Sequence, residues 1–228
     1  MAPAGLNPHQ LARYQAKGYV AVRGRFGPKE VAMWQTECDR LWAMLSTSVG
    51  DSRVQFREHD KGTAIADRID PLLDVSRVFK KLSKDPRIVK PVEDALDGHS
   101  KVIKAKLITK RPGTHGYGLH QDYPYWQNFG LPADSMLTVQ VAIDPSSDEN
   151  GGVELWPSRH REILPPPAEN PLDVAESAVA LDEAELIPLA TGDLLFFHSL
   201  VPHRSAPNKS NQSRRAVFIT YGRLAYGR

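Results

Sequence analysis

The amino-acid sequence predicts a mainly β domain, a sandwich or barrel with flanking helices packed outside it. Helical periodicity is concentrated in roughly the first hundred residues, and from Lys101 onward short apolar runs suited to strands take over. Pro- and Gly-rich turn signals separate those runs, which favours antiparallel strands over a parallel α/β sheet.

In chain order, Asn7-Pro8 opens a first helix, with Asn as cap and Pro in the first position; Leu11 and Tyr14 continue it until Gly18 ends it. Tyr19-Val20-Ala21-Val22 reads as a strand. Pro28-Lys29-Glu30 starts a second helix, in which Val31, Trp34, Cys38, Leu41, Trp42 and Leu45 recur at helical spacing. A further helical region spans Ser76–Leu96, expected to break at Pro86 and Pro91 and to stop at Gly98. The strand candidates are Val102–Thr109, Met136–Ile143, Val153–Trp156, Ala184–Pro188, Asp193–Phe197 and Ala216–Tyr221. Turns are marked by Arg111-Pro112-Gly113, Asn150-Gly151-Gly152, Pro165-Pro166-Pro167 and Thr191-Gly192-Asp193. Ser48–Thr63 and Glu162–Asp182 are loop-rich and expected to cover the mouth of the β core. With no repeat and no linker, residues 1–228 are expected to form one domain, helical to about residue 100 and a β core from about 101.

Composition narrows the function. The 29 basic and 27 acidic residues leave a net charge of +2, so nothing points to nucleic acid as a partner. The single cysteine, Cys38, excludes an intrachain disulfide and a Cys-rich zinc site, and its place in an apolar helical stretch marks it as a core thiol. No apolar run reaches the ~18 residues of a membrane span, and the N-terminus lacks the pattern of a signal peptide, so a cytoplasmic protein is expected.

The chemistry begins at His120-Gln121-Asp122. In a strand, residues two apart share a face, so His120 and Asp122 can offer a nitrogen and an oxygen to one ion. Two later histidines compete to be the third ligand: His198, after an apolar run, and His203, in Pro202-His203-Arg204-Ser205. Two histidines and one carboxylate on one face bind non-haem Fe(II) and leave positions open, whereas calcium wants more oxygens and structural zinc a closed set. Arg214 and Arg215 enter the last strand, one facing inward and the other solvent; an inward guanidinium would need an anionic partner, which a dicarboxylate supplies.

These residues resemble the phytanoyl-CoA dioxygenase-like group of Fe(II)- and 2-oxoglutarate-dependent oxygenases, over nearly the whole chain. The similarity runs from Leu11-Ala12-Arg13-Tyr14 and Gly18–Val22 through Asp67–Pro71 and Lys106–Gly113 to His120-Gln121-Asp122. It continues in Glu149-Asn150-Gly151-Gly152, Trp156–His160 and Gly192–Phe197, and ends with His203-Arg204-Ser205-Ala206-Pro207-Asn208 and Arg214. The resemblance implies a double-stranded β-helix, a cupin-like jelly-roll barrel. The family's distal ligand begins a His-x-Ser-x-x-Asn segment, which selects His203 over His198, and its cosubstrate arginine follows eleven positions later, which selects Arg214 over Arg215. It thus implies iron ligands His120, Asp122 and His203, a 2-oxoglutarate anchor at Arg214 assisted by Ser205, and Thr138 and Gln140 as further cosubstrate candidates. The implied reaction takes O2 and 2-oxoglutarate to succinate and CO2 while hydroxylating a C–H bond of a small metabolite. Related halogenases carry a small residue where Asp122 stands, so the carboxylate favours hydroxylation. Arg159 departs from the family's usual small residue, and His160 reads as a rim residue, not a fourth ligand.

For the substrate, Tyr123, Tyr125 and Trp126 are pocket candidates. Lys104, Lys106 and Lys110 share a strand face expected to point mostly to solvent, with Lys106 the candidate to meet an anion. Two other readings of the residues stand beside this one: a cupin-like metal enzyme that does not use 2-oxoglutarate, and a barrel that binds without catalysis.

Overall fold

The computed structural model describes residues 5–46, 50–60 and 62–224. Helix α1 (Pro8–Lys17) is capped as its sequence predicts: the Asn7 side chain accepts from the Gln10 amide while the Gln10 side chain accepts from that of Asn7, and left-handed Gly18 ends the helix. Strand β1 (Tyr19–Val22) follows, then α2 (Pro28–Ser46), which buries Val31, Trp34, Cys38, Leu41 and Leu45. Cys38 is fully buried, and burial pushes its thiol up to about 12, as a core thiol requires.

The front third is less helical than expected. Strands β2 (Val54–Glu58) and β3 (Ala64–Ile69) form a hairpin in and just after the stretch read as loop, of which residues 48, 49 and 61 lie outside the described residues. Helices α3 (Arg77–Leu82) and α4 (Pro86–Leu96) come next, and α4 runs through Pro91 instead of breaking there. Proline removes the amide that would bond the Arg87 carbonyl, but the Arg25 side chain donates to that carbonyl at 3.2 Å and replaces the lost bond.

The remaining strands are β4 (Ser100–Lys110), β5 (Tyr117–His120), β6 (Met136–Ala142), β7 (Val153–Leu155), β8 (Glu185–Leu186), β9 (Leu194–His198), β10 (His203–Ser205) and β11 (Arg214–Arg223). They pair into a larger antiparallel sheet, ordered β1-β9-β6-β11-β4-β3-β2, and a smaller one, β5-β10-β7-β8. The order joins strands distant in sequence, and the large sheet takes its edges from the front third of the chain.

Both faces of the large sheet are covered, which is why its central strands read as continuous apolar runs. Leu137, Val139 and Val141 of β6 pack outward with the helices, together with Phe196 of β9 and Ile219 of β11. Residues of opposite parity, including Ala142, Leu195, Phe197, Ala216 and Phe218, meet Val153 and Leu155 of the small sheet inside the barrel. Trp156, Leu164, Val174 and Val179 form a third cluster, in which the irregular segment after β7 covers Leu119 of β5. Among the described residues no helix is long and apolar enough to cross a membrane.

Candidate metal and cosubstrate centre

Strands β5 and β10 place His120 directly opposite His203, with ring centroids 4.1 Å apart. Each Nδ1 bonds a main-chain carbonyl, His120 to Gly118 at 2.7 Å and His203 to Val201 at 2.9 Å. With Nδ1–H donated there, each Nε2 lone pair is directed elsewhere.

Asp122 does not reach the pair by strand alternation. β5 ends at His120, and Asp122 has helical backbone angles in the turn that follows. Thr138 of β6 donates to its Oδ2 at 2.7 Å, and Oδ1 lies 4.0 Å from His120 Nε2 and 3.9 Å from His203 Nε2, too far for hydrogen bonds. One ligand atom from each of the three residues lies within 4.8 Å of the others. Burial and the neighbouring His203 push His120 down to about 3, and burial also lowers His203. Burial works against the Asp122 carboxylate, but His203, Lys106 and His120 together hold it below its usual range. Two neutral imidazoles and one carboxylate leave a net negative, one-sided donor set, which fits Fe(II) with open positions better than a closed zinc site.

Two other histidines stand apart. His198 Nδ1 accepts from the Leu200 amide at 3.0 Å, and its ring lies 5.4 Å from that of His160 on the side of the barrel near α1.

Arg214 opens β11 and pairs across the sheet with Lys110 of β4. It is 2% exposed, and its Nε and Nη1 have no hydrogen-bond partner among the described residues; burial pushes it down to about 10. Arg215 points the other way, but into a bidentate pair with Asp144 (2.8 and 2.9 Å) instead of open solvent. A buried guanidinium without an acceptor is costly unless an anion completes it. Arg214, Ser205, Phe197, Thr138 and the three metal-ligand candidates line one narrow inner cavity, so a dicarboxylate held there would have the ligand candidates and the guanidinium on the same walls. The residues present therefore fit iron and 2-oxoglutarate.

The lysine face of β4 points inward, contrary to expectation. Lys104 pairs with Asp70 at 2.7 Å, Lys106 lines the cavity, and Lys110 is wholly buried. Lys110 Nζ donates to Ser205 Oγ (2.8 Å), Gly151 O (3.2 Å) and Ala206 O (2.6 Å). Ser205 Oγ also accepts from the Tyr117 amide at 3.3 Å, so both lone pairs are used and its own proton is left to donate. Gly151 permits this: with φ +70°, a Cβ there would sit 2.2 Å from Ala206 O and 2.8 Å from Lys110 Nζ.

The remaining site candidates separate. Thr138 bonds Asp122 and so orients a ligand candidate as well as lining the inner cavity. Gln140 is buried one step along β6, with its amide unpartnered among the described residues, and lines neither cavity. Tyr125 and Trp126 line an outer cavity of about 550 Å³ together with Lys106, whereas Tyr123 turns its hydroxyl to the Leu131 carbonyl at 3.1 Å and lines neither cavity. Sequence reasoning passed over Arg57, Arg68 and Asp173, which also line the outer cavity. Gln121, between two ligand candidates, was missed as well: fully buried, it donates to Leu200 O and Glu162 O and accepts from the Leu164 amide, tying the covering segment to the site. The uninterrupted His-Gln-Asp triplet was the available signal for it.

A model of the phytanoyl-CoA dioxygenase family matches residues 14–216. The chain belongs to that family. It is 37% identical over 227 residues to a methylphosphonate hydroxylase of Gimesia maris, covering 97% of this chain and 83% of the relative. It is 32% identical over 170 residues to a 2-aminoethylphosphonate dioxygenase from an uncultured bacterium, covering 74% and 63%. The fold matches the iron-bound crystal structure of EctD from S. alaskensis with a TM-score of 0.82 at 18% identity, over 98% of this chain and 79% of that one. Family membership decides among the readings the residues left open: the protein is a jelly-roll Fe(II)- and 2-oxoglutarate-dependent dioxygenase that hydroxylates a small metabolite with O2.

Burial and the charges of Arg214 and Arg57 push Lys110 down to about 6, outweighing the Asp67 charge and the three surrounding acceptors that favour its ammonium form. From about pH 6 to the ordinary lysine value near ~10.4, the unfolded chain therefore binds the extra proton, and stability rises with pH. Urea titrations at pH 6.5 and 8.5 are expected to show this rise, less of it in Lys110→Met, and less of it with saturating 2-oxoglutarate. The same variant should raise the KM for 2-oxoglutarate about tenfold by removing the group that orients Ser205.

Proposed function

We propose that this enzyme hydroxylates a C–H bond of a small organophosphonate. His120, Asp122 and His203 would hold the iron, and Arg214 with the Ser205 hydroxyl would grip the distal carboxylate of 2-oxoglutarate. The observation that carries the site assignment is the meeting of three ligand atoms within 4.8 Å, in one cavity with a buried guanidinium whose Nε and Nη1 lack an acceptor among the described residues. Two things support the substrate class. Both relatives named above act on phosphonates, and the outer cavity presents cations without acidic partners. Arg57 is neutralised by Asp67 at 3.1 Å and Lys104 by Asp70, but among the described residues neither Arg68 nor Lys106 has a carboxylate in ion-pair range, and Arg68 Nε is buried without a partner. A doubly charged tetrahedral headgroup suits two such cations.

When bound, iron with 2-oxoglutarate and oxygen supplies the oxidising chemistry. The chain's part is placement. The Gly118 and Val201 carbonyls hold the two imidazoles in the tautomer that leaves Nε2 free, and Thr138 fixes the carboxylate. Arg68 and Lys106 hold the headgroup in the cavity that opens onto His120 and Asp122. The segment bearing Asp173 forms an antiparallel bridge to His120 and lines the outer cavity.

The test is turnover by the protein loaded with Fe(II) and supplied with 2-oxoglutarate and air. Short alkylphosphonates should stimulate succinate release, with hydroxylated phosphonate appearing in the phosphorus NMR spectrum in equal amount. If non-phosphonate metabolites stimulate succinate release and phosphonates do not, the substrate class is wrong.

A further inference from the structure

The same outer cavity contains one charge that a simple phosphonate does not use. Asp173 lines it, on the segment whose backbone bridges to His120 and whose next amide, Val174, donates to Leu119 O at 2.9 Å. Its carboxylate has no hydrogen bond or ion pair among the described residues, and it lies within 3.8 Å of the position a Cβ on Gly118 would take. Arg68 and Lys106 line the same space, yet none of their nitrogens comes within ion-pair range of it. Opposite charges that share one cavity and do not meet leave room for a ligand carrying both signs, because water between them would recover only part of their attraction. Tyr125 lines the same cavity, and burial followed by the Asp173 charge raises its phenol. An aromatic face beside a carboxylate is a favourable setting for an ammonium group.

We infer that the preferred substrate is a zwitterion: a short phosphonate whose chain ends in an ammonium, the headgroup held by Arg68 and Lys106 and the ammonium by Asp173 beside Tyr125. This rests on the phosphonate reading above and narrows it, with Asp173 as the residue that sets specificity.

The discriminating pair of probes is 2-aminoethylphosphonate and propylphosphonate, which match in shape and differ in the terminal charge. With the iron-loaded enzyme, kcat/KM should favour the amine about tenfold or more, the scale of one well-placed ionic contact. Asp173→Asn should reduce that ratio about tenfold, and Asp173→Glu should restore most of it. The ratio is a property of the folded molecules alone, so partial misfolding of a variant does not move it. Equal use of both phosphonates by the wild-type enzyme overturns the zwitterion while leaving the phosphonate class standing. A preference that survives Asp173→Asn overturns the role of Asp173. Turnover of neither compound, by enzyme that binds iron and 2-oxoglutarate, removes the phosphonate class and this inference with it.

Discussion

His203→Ala is expected to abolish iron-dependent turnover, with loss exceeding the ~10–100-fold that removal of outer-shell partners costs metal sites. The imidazole supplies one of the three converging donors, and its strand partner His120 cannot replace it because the tautomer of each ring is set by its own carbonyl. Iron content after anaerobic loading is the direct measurement. His198→Ala is the matched control: it removes an equally buried imidazole five positions earlier, one bonded to the Leu200 amide and directed toward His160. Iron retained by His203→Ala and lost by His198→Ala would reverse the assignment. Thr138→Val lies between these extremes, since it frees Asp122 to rotate while leaving all three donors in place.

Arg214→Met should separate function from stability. The KM for 2-oxoglutarate is expected to rise about a hundredfold, the worth of a bidentate charge-assisted contact. The cosubstrate-free protein, in contrast, is expected to gain stability, because a buried cation with unpartnered nitrogens is replaced by an apolar side chain of similar reach. Arg215→Met should do the reverse. It breaks the pair with Asp144 and the contact to Asp39 at 2.9 Å, so urea resistance falls while 2-oxoglutarate dependence is kept. Equal shifts in the KM for both variants would show that the anchor has been misassigned.

The two arginines illustrate what could be read in advance. Alternation along a strand says that one of them faces inward, and the family pattern chooses which; neither says that the outward one is held by Asp144, which requires β6 to end beside β11. Helix starts were legible because capping is local: Asn7, Pro8 and Gln10 settle α1 within one turn. The β2–β3 hairpin was not, because its strands mix exposed and half-buried residues, Phe56 among the exposed, and their pairing to β4 is long-range. Strands β5 and β10 are four and three residues long, too short for any period to register. The lysines of β4 were misread for a related reason. Long cationic side chains usually end in water, and only the turn at Gly151 with the carbonyl of Ala206 gives Lys110 acceptors inside.

By itself the sequence determined the chemical inventory and its order: two imidazoles, a carboxylate and a guanidinium at recognisable spacings, with the caps and turns that divide helices from strands. Those properties depend on residue identity and on neighbours within a few positions. Only the tertiary structure decided that His120 faces His203, that Asp122 joins them from a turn, that Lys110 is buried beside Arg214, and that Asp173 confronts Arg68 and Lys106 without touching them. Antiparallel pairing brings together segments far apart along the chain, and burial depends on what the rest of the chain lays over a side chain.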